Sequence, residues 1–126
     1  FHSGVPTAQI RNFFTDLCKQ FHLDKITVLI RTTEWIQDFS KNPKSIACAW
    51  KEESSMYVAI SRKIFTPLRK KKYLFRTKQE KLFLRVILHE FIHLYLRTKH
   101  PYVSEPHGPE FRTMERKICA IYGLKF

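Results

Sequence analysis

The chain has 126 residues with 44% hydrophobic and 14% aromatic content, which excludes a disordered chain and allows one domain, residues 1–126, with a modest core. Its 23 Lys and Arg against 11 Asp and Glu give a net charge of +12, which favours a polyanionic partner, nucleic acid before an anionic membrane. Three cysteines without a C-x-x-C pair exclude a disulfide framework and a cysteine zinc ribbon, so we expect a reducing, intracellular compartment. The first residue, Phe1, suggests a domain excised from a longer protein.

The first half of the chain predicts one helix followed by three strands. A helix opens at Pro6 with apolar residues at spacings of three and four, namely Ile10, Phe13, Phe14, Leu17, Cys18 and Phe21. Residues 26–31 are rich in β-branched side chains and predict a strand. Residues 32–44 are ambiguous and allow a helical turn. Residues 45–50 and 55–61 predict a hairpin across the polar turn at 51–54.

The second half predicts two helices after a basic connection at residues 62–76. Thr77 and Glu80 form a capping box, and the apolar run 82–96 that follows predicts a helix buried on most sides. Residues 97–109 predict a loop, and a last amphipathic helix starts near Pro109 with Gly123 as its stop. This order predicts an α+β domain with a small, mainly antiparallel three-stranded sheet packed with the buried helix and flanking helices.

The buried helix contains the pattern H-E-x-x-H, formed by His89, Glu90 and His93. Residues four apart lie one turn apart on the same face, so both imidazoles can reach one ion and Glu90 can activate a water molecule beside them. Imidazole ligands with one open position suit Zn²⁺, which we expect as the cofactor. The alternative is two hydrogen-bonded histidines and a salt-bridged glutamate. It is disfavoured because a carboxylate in apolar surroundings is unstable without a nearby charge.

A catalytic zinc needs a third protein ligand, and three downstream residues are candidates: His100, His107 and Glu115. His100 would lie two turns beyond His93, about 10 Å along the helix axis, which is too far. Glu115 has basic neighbours that favour a surface ion pair. His107 stands on a loop that can fold back before the last helix, so we predict His107 as the third ligand. The glycine that follows it, Gly108, would let the backbone turn tightly there.

The H-E-x-x-H pattern followed by H-G-P-E-F at residues 107–111 resembles the SprT-like metalloprotease family. The order of predicted elements is similar too, and the resemblance covers roughly residues 10–124. It implies a zincin-like metalloprotease core with three histidine ligands and a catalytic glutamate. It also implies a DNA-dependent protease that acts in DNA repair on proteins crosslinked to DNA. Many members carry a further cysteine-rich zinc-binding segment that contacts DNA, and the sequence ends at Phe126 without one.

The basic connection is the predicted contact with nucleic acid. Nine cations and a single acid lie between Arg62 and Lys81, and Tyr73 and Phe75 interleave with them. Cations neutralise phosphates and aromatic faces stack unpaired bases, so single-stranded or unpaired DNA is a suitable partner. The residues expected to contact DNA are Arg69, Lys70, Lys71, Lys72 and Arg76. The alternative is a solvated charged loop with its aromatic residues tucked into the core.

In the expected mechanism Glu90 takes a proton from water and passes it to the leaving amine, while Tyr102 and His100 are candidates to stabilise the oxyanion. Three hypotheses follow: a zinc endopeptidase acting on DNA-bound proteins, a zinc peptidase without DNA dependence, and a DNA-binding module with a structural metal. Glu90 argues against the third, because a structural site needs no base. We expect protein substrates, no membrane partner, and a nuclear location in a eukaryote or a cytoplasmic one otherwise.

Overall fold

The computed structural model describes residues 4–64, 78–99 and 107–122, without the side chains of residues 4–9 and 79. Four helices and three strands are formed by these residues, which confirms an α+β arrangement. In chain order they are α1 (Gly4–Phe21), β1 (Ile26–Arg31), α2 (Thr33–Ser40), β2 (Ala47–Glu52), β3 (Ser55–Ser61), α3 (Lys78–Lys99) and α4 (Pro109–Ile121).

The sheet is mixed, so the prediction of a mainly antiparallel sheet is wrong. Strand β3 lies in the middle, antiparallel to β2 and parallel to β1. The connection at residues 32–46, which contains α2, carries the chain past the position of β3 to the far edge of the sheet. The hairpin between β2 and β3 then reverses the chain again, and two reversals return β3 to the direction of β1. In a meander, consecutive strands are antiparallel neighbours, so β2 would lie beside β1. Here the crossover through α2 carries β2 to the far edge, and β3 lies between β1 and β2.

The two faces of the sheet are covered differently. The inner face presents Ile26, Val28, Met56, Val58 and Ile60 to a core shared with α1, α3 and α4. Ring contacts between Phe21 and Phe91 at 5.8 Å and between Phe13 and Tyr122 at 5.2 Å join the three helices. Burial of each large apolar side chain contributes about 1.5–3 kcal/mol, so this face holds the domain together.

The outer face is covered by α2 alone among the described elements. Ile36 of α2 is fully buried there, and the hydroxyls of Thr33 and Ser61 form a hydrogen bond of 2.6 Å. Thr32 caps α2 by accepting a hydrogen bond from the backbone N–H of Trp35, and Lys41 ends it in the left-handed region at φ 58°. These caps explain why residues 32–44, ambiguous in sequence, contain a short helix.

The helix boundaries follow the sequence pattern with small differences. Helix α1 begins at Gly4 rather than Pro6, and its predicted apolar face is confirmed. Helix α3 begins at Lys78, one residue after Thr77, which lies outside the described residues, as does Gly123. It continues to Lys99, so the predicted loop at residues 97–109 starts too early. Within the described residues, no helix has the length and apolar character needed to cross a membrane.

Candidate metal centre

Helix α3 fixes two histidines and a glutamate at the edge of the core. Its apolar residues are buried nearly all round, as the sequence predicts, with Leu88, Phe91 and Ile92 fully buried. His89 and His93 lie one turn apart on the half-buried side of the helix, and their Nε2 atoms are 3.1 Å apart. Because the helix is anchored over its length, these two nitrogens are held in place by the backbone geometry itself.

The turn before α4 supplies the third histidine. The exposed side chain of His107 directs its Nε2 atom to within 3.2 Å of Nε2 of His89 and 3.1 Å of Nε2 of His93. The structure thus brings the three predicted ligands together from helix α3 and from the turn before α4. Helix α4 begins at Pro109, whose fixed φ suits a first helical position, and this sets the direction in which the preceding turn projects.

The three nitrogen atoms form a triangle that hydrogen bonding alone does not explain. A ring nitrogen carries either one hydrogen or one lone pair, so three such atoms cannot make three hydrogen bonds with one another. A tetrahedral zinc at about 2.05 Å from each nitrogen would space them about 3.3 Å apart, close to the observed 3.1–3.2 Å. His89, His93 and His107 can therefore hold a metal ion, and their donor atoms suit zinc.

The protonation states of His89 and His93 also suit metal binding. Burial lowers the pKa of His93 to about 4, and the charges of His89, His107 and Arg97 act in the same direction. The pKa of His89 is lowered too, first by burial and then by His107. Both rings are neutral at pH 7, which is the state in which an imidazole offers its lone pair to a metal.

Glu90 lies between the two ligands of α3 and is only 9% exposed. Burial raises the pKa of its carboxyl to about 7, and the charge of Arg97 acts in the opposite direction. A carboxyl with a pKa near the ambient pH can both accept and release a proton, which is what a general base and acid requires. A cation held by the three histidines would favour the ionised form of Glu90.

Phe111 packs against the three histidine rings. This residue of α4 is 2% exposed, and its ring centroid lies 4.8 Å from those of His89 and His93 and 5.0 Å from that of His107. One apolar ring thus touches all three imidazoles and limits how each can rotate. Gly108 is buried with φ −77° and ψ −165°, an extended conformation that any residue can adopt, so no left-handed backbone conformation requires glycine at this position.

Glu115 lies beside the centre, where the sequence favoured a surface ion pair. Its Oε2 atom is 4.0 Å from Nδ1 of His89, the ring nitrogen that points away from the other two histidines. Because His89 is neutral at pH 7, this contact is polar rather than ionic. The spacing could have indicated this position, since Phe111 and Glu115 are four residues apart and share one face of α4.

A cleft of about 500 Å³ opens beside His89 and Glu90. His89 and Glu90 form one wall, Glu115 and Cys119 of α4 a second, and residues 44–47 at the start of β2 a third. Sequence reasoning did not place β2 at the site, because no local pattern reports which strand lies beside α3. Burial raises the pKa of the Cys48 thiol on this strand to about 11, and the charge of Glu90 adds to that effect.

Several predicted site residues fall outside the described part of the chain. These are the two oxyanion candidates, His100 and Tyr102, and the five expected DNA contacts, Arg69, Lys70, Lys71, Lys72 and Arg76. At the borders of that basic connection, Arg62, Lys63, Lys78 and Lys81 are exposed. Lys78 and Lys81 belong to the first turn of α3, so the basic connection leads directly into the helix that carries His89.

The family comparison matches both histidine motifs. A family model described as the SprT-like family matches residues 31–125, a range that begins at the end of β1 and includes His89, Glu90, His93 and His107. No curated protein matches the chain. The resemblance seen in the two sequence motifs is confirmed. The chain belongs to the SprT-like family, and this membership indicates a metallopeptidase-like domain.

Proposed function

We propose that this domain is a zinc-dependent endopeptidase with a zincin-like core. The observation that carries the proposal is the convergence of three imidazole Nε2 atoms at 3.1–3.2 Å, with the buried Glu90 carboxyl beside them in an open cleft. A structural metal site is closed by four protein ligands and has no need of a base, whereas a hydrolytic site needs an open position and a group that moves protons.

The residues of the site have separate roles in the proposed peptide hydrolysis. His89, His93 and His107 hold the ion, and zinc bound there would polarise the scissile carbonyl and lower the pKa of water to about 7. Glu90 accepts a proton from the attacking water and delivers it to the leaving amine. The buried surroundings that raise the pKa of Glu90 to about 7 suit both roles near neutral pH.

The substrate is proposed to bind as an extended peptide along β2. Of the three described strands, β2 forms one edge of the sheet, and its start lines the cleft with His89 and Glu90. The carbonyl of Ile46 accepts a hydrogen bond from the N–H of Ser61. By the alternation of an antiparallel ladder, Ala47 and Ala49 then direct their backbone groups away from β3, where a peptide strand can pair with them.

The substitution Glu90→Gln tests the catalytic role. It keeps the size of the side chain but removes the proton acceptor, so we expect cleavage of an unfolded protein substrate to fall by about 10²–10⁴-fold. Bound zinc, measured by atomic absorption, should stay at the wild-type level. Glu34→Gln changes an exposed glutamate of α2 and serves as the control. Wild-type turnover by the Glu90 variant would remove Glu90 from the mechanism.

We further propose that the peptidase depends on DNA and acts on DNA-bound or DNA-crosslinked proteins. The support is the net charge of +12, the cations concentrated between Arg62 and Lys81, and the family to which the chain belongs. His89 lies eleven positions after Lys78 on α3, which is about 16 Å at about 1.5 Å per residue. DNA held at the start of α3 would bring its bound proteins near the cleft.

Cleavage of a DNA-binding protein with and without single-stranded DNA tests this dependence. Cleavage only with DNA supports the proposal, cleavage in both conditions leaves a peptidase without DNA dependence, and cleavage in neither favours a DNA-binding module. DNA affinity should fall steeply with salt and weaken when Lys70, Lys71 and Lys72 are changed to Gln. The same charge removed at the exposed Lys19, Lys25 and Lys41 should have a smaller effect.

A further inference from the structure

The outer face of the sheet carries a continuous row of aromatic rings that the proposed chemistry does not use. Trp35 and Phe39 of α2 stack at 5.0 Å, Phe39 contacts Trp50 of β2 at 4.5 Å, and Trp50 stacks on Tyr57 of β3 at 5.3 Å. The guanidinium of Arg31 lies 5.6 Å from the ring centre of Trp35. We call the four rings of Trp35, Phe39, Trp50 and Tyr57 the aromatic strip.

The aromatic strip is partly open to solvent. Phe39 is 45% exposed and Trp35 is 37% exposed, so two of the large hydrophobic side chains most exposed in the described residues lie side by side. Single exposed apolar residues are common on protein surfaces, but a contiguous group of them marks a binding surface. The rings of Trp50 and Tyr57 continue this surface onto the sheet itself, where both are half-buried.

The aromatic strip is continuous with the proposed substrate path. Trp50 lies on β2, the edge strand whose start lines the cleft beside His89. Trp50 lies three positions after Ala47 on this extended strand, a distance of about 10 Å. A peptide paired with β2 would place alternate side chains on the two faces of the sheet, and the residue opposite Trp50 would project onto the aromatic strip.

The hydrogen-bond pattern of β2 brings that side chain close to the indole. Because the backbone groups of Trp50 point towards β3, a residue of an antiparallel peptide opposite Trp50 would form a non-hydrogen-bonded pair with it. In such pairs the two residues approach more closely, at about 4.5 Å between Cα atoms. An aromatic or other large apolar side chain at that position would contact Trp50 and reach Phe39.

Charge distinguishes a peptide from a nucleic acid as the occupant. Residues 31–63, which contain the aromatic strip, carry six Lys and Arg against four Asp and Glu, or +2 of the chain's +12. The excess of cations that would neutralise a phosphate backbone therefore lies elsewhere in the chain. Nearly balanced charge around stacked aromatic rings suits a protein segment with aromatic side chains.

We infer that the aromatic strip is a subsite for an aromatic or large apolar side chain of the protein substrate, a few residues away from the bond that is cut. This inference rests on the proposed function, because it takes the peptide along β2 to the cleft as its starting point. It adds a substrate preference: extended segments with an aromatic residue at one fixed distance from the scissile bond are bound and cut best.

Tryptophan fluorescence reports directly on this subsite. The chain contains two tryptophans, Trp35 and Trp50, and both belong to the aromatic strip. The zinc-loaded Glu90→Gln chain is titrated with a series of peptides in which a single Phe is moved along an otherwise constant polar sequence. We expect one Phe position to shift the emission and to tighten binding about three- to tenfold over the Phe-free peptide.

Two variants serve as a matched pair. Phe39→Ala removes an exposed ring of the aromatic strip and should reduce the preference for that Phe position to less than about twofold. Leu82→Ala removes a side chain that is 52% exposed on α3, outside the strip, and should leave the preference unchanged. An equal loss in both variants, or none in Phe39→Ala, overturns the subsite.

The wild-type chain is assayed for cleavage of the same peptides. Cleavage with no preference for any Phe position overturns the subsite but does not contradict the proposed peptidase activity. No cleavage of any peptide, with position-dependent binding retained, overturns the peptidase and leaves a peptide-binding surface. If single-stranded oligothymidylate quenches the tryptophans of the wild type and of Leu82→Ala but not of Phe39→Ala, the strip binds bases and the inference is wrong.

Discussion

Helices α3 and α4 both contribute to the candidate metal centre, but they hold their residues in different ways. The ligands of α3, His89 and His93, lie on a 22-residue helix whose apolar residues are mostly buried. The ligand from the α4 side, His107, lies on an exposed turn outside its 13-residue helix. The first pair is fixed by helix geometry, whereas the third ligand depends on how α4 docks.

This difference assigns two roles to the two halves of the centre. The α3 half is set as soon as the core forms, since helical spacing alone brings the two imidazoles together. The α4 half must be positioned by contacts, and the residues that make them are Phe111, which touches all three rings, and Glu115, which lies beside His89. Substitutions on the α4 side should therefore alter metal binding beyond any effect that they have on stability.

The largest effect should come from His107→Ala. Removal of a ligand should lower zinc affinity by more than the roughly 10- to 100-fold that loss of an outer partner causes. The side chain is exposed, so the free energy of unfolding of the metal-free protein should change by less than about 0.5 kcal/mol. Zinc competition with a chelator and urea unfolding measure the two quantities.

His93→Ala removes a ligand on the α3 side and provides the comparison. It should lower zinc affinity about as much as His107→Ala does. His22→Asn is the control, because it removes an exposed imidazole at a left-handed position, φ 59°, that asparagine tolerates. Unchanged zinc affinity in His107→Ala would mean that another group completes the site, and the proposed ligand set would then be wrong.

The next effect concerns Glu115→Gln. A carboxylate on the outer nitrogen of a ligating histidine orients the ring and makes it a better ligand. The 4.0 Å separation from His89 Nδ1 is longer than a direct hydrogen bond, so we expect zinc affinity to fall about tenfold, the low end of the usual range. Glu110→Gln, exposed in the first turn of α4, should leave it unchanged. Equal affinities in the two variants would contradict a positioning role for Glu115.

The residues of the site on α3 were easier to predict from the sequence than those on the α4 side. Grouping His89 with His93 needs only the helical period, which is local information. Placing His107 beside them needed the exclusion of His100 and Glu115, because no periodicity crosses a loop, and the second motif at residues 107–111 agreed with that choice. The proximity of Glu115 to His89 was not predicted, because it depends on the packing of α4 against α3 and no local pattern reports that packing.

The fold shows the same limit. Strands β1 and β3 were predicted with the boundaries that the structure has, since β-branched runs are local signals. The direction of β3 relative to β1 was not predictable from those runs, because it depends on the path of residues 32–46 around the sheet edge. The same path places the start of β2 beside the cleft. The sequence therefore did not predict that β2 forms a wall of the site.

The smallest effect should come from Phe111→Leu, which tests whether one apolar ring sets the α4 half of the centre. The substitution keeps a buried apolar side chain but loses the flat ring that touches all three imidazoles, so we expect about 1 kcal/mol lower stability. Phe14→Leu, at an equally buried position of α1, should lower stability by a similar amount. Only Phe111→Leu should also weaken zinc binding, by a few-fold, because only that ring limits the rotation of the ligands. If both variants bind zinc equally well, the docking of α4 is set by the core as a whole, and the contrast between a fixed half and an adjustable half loses its basis.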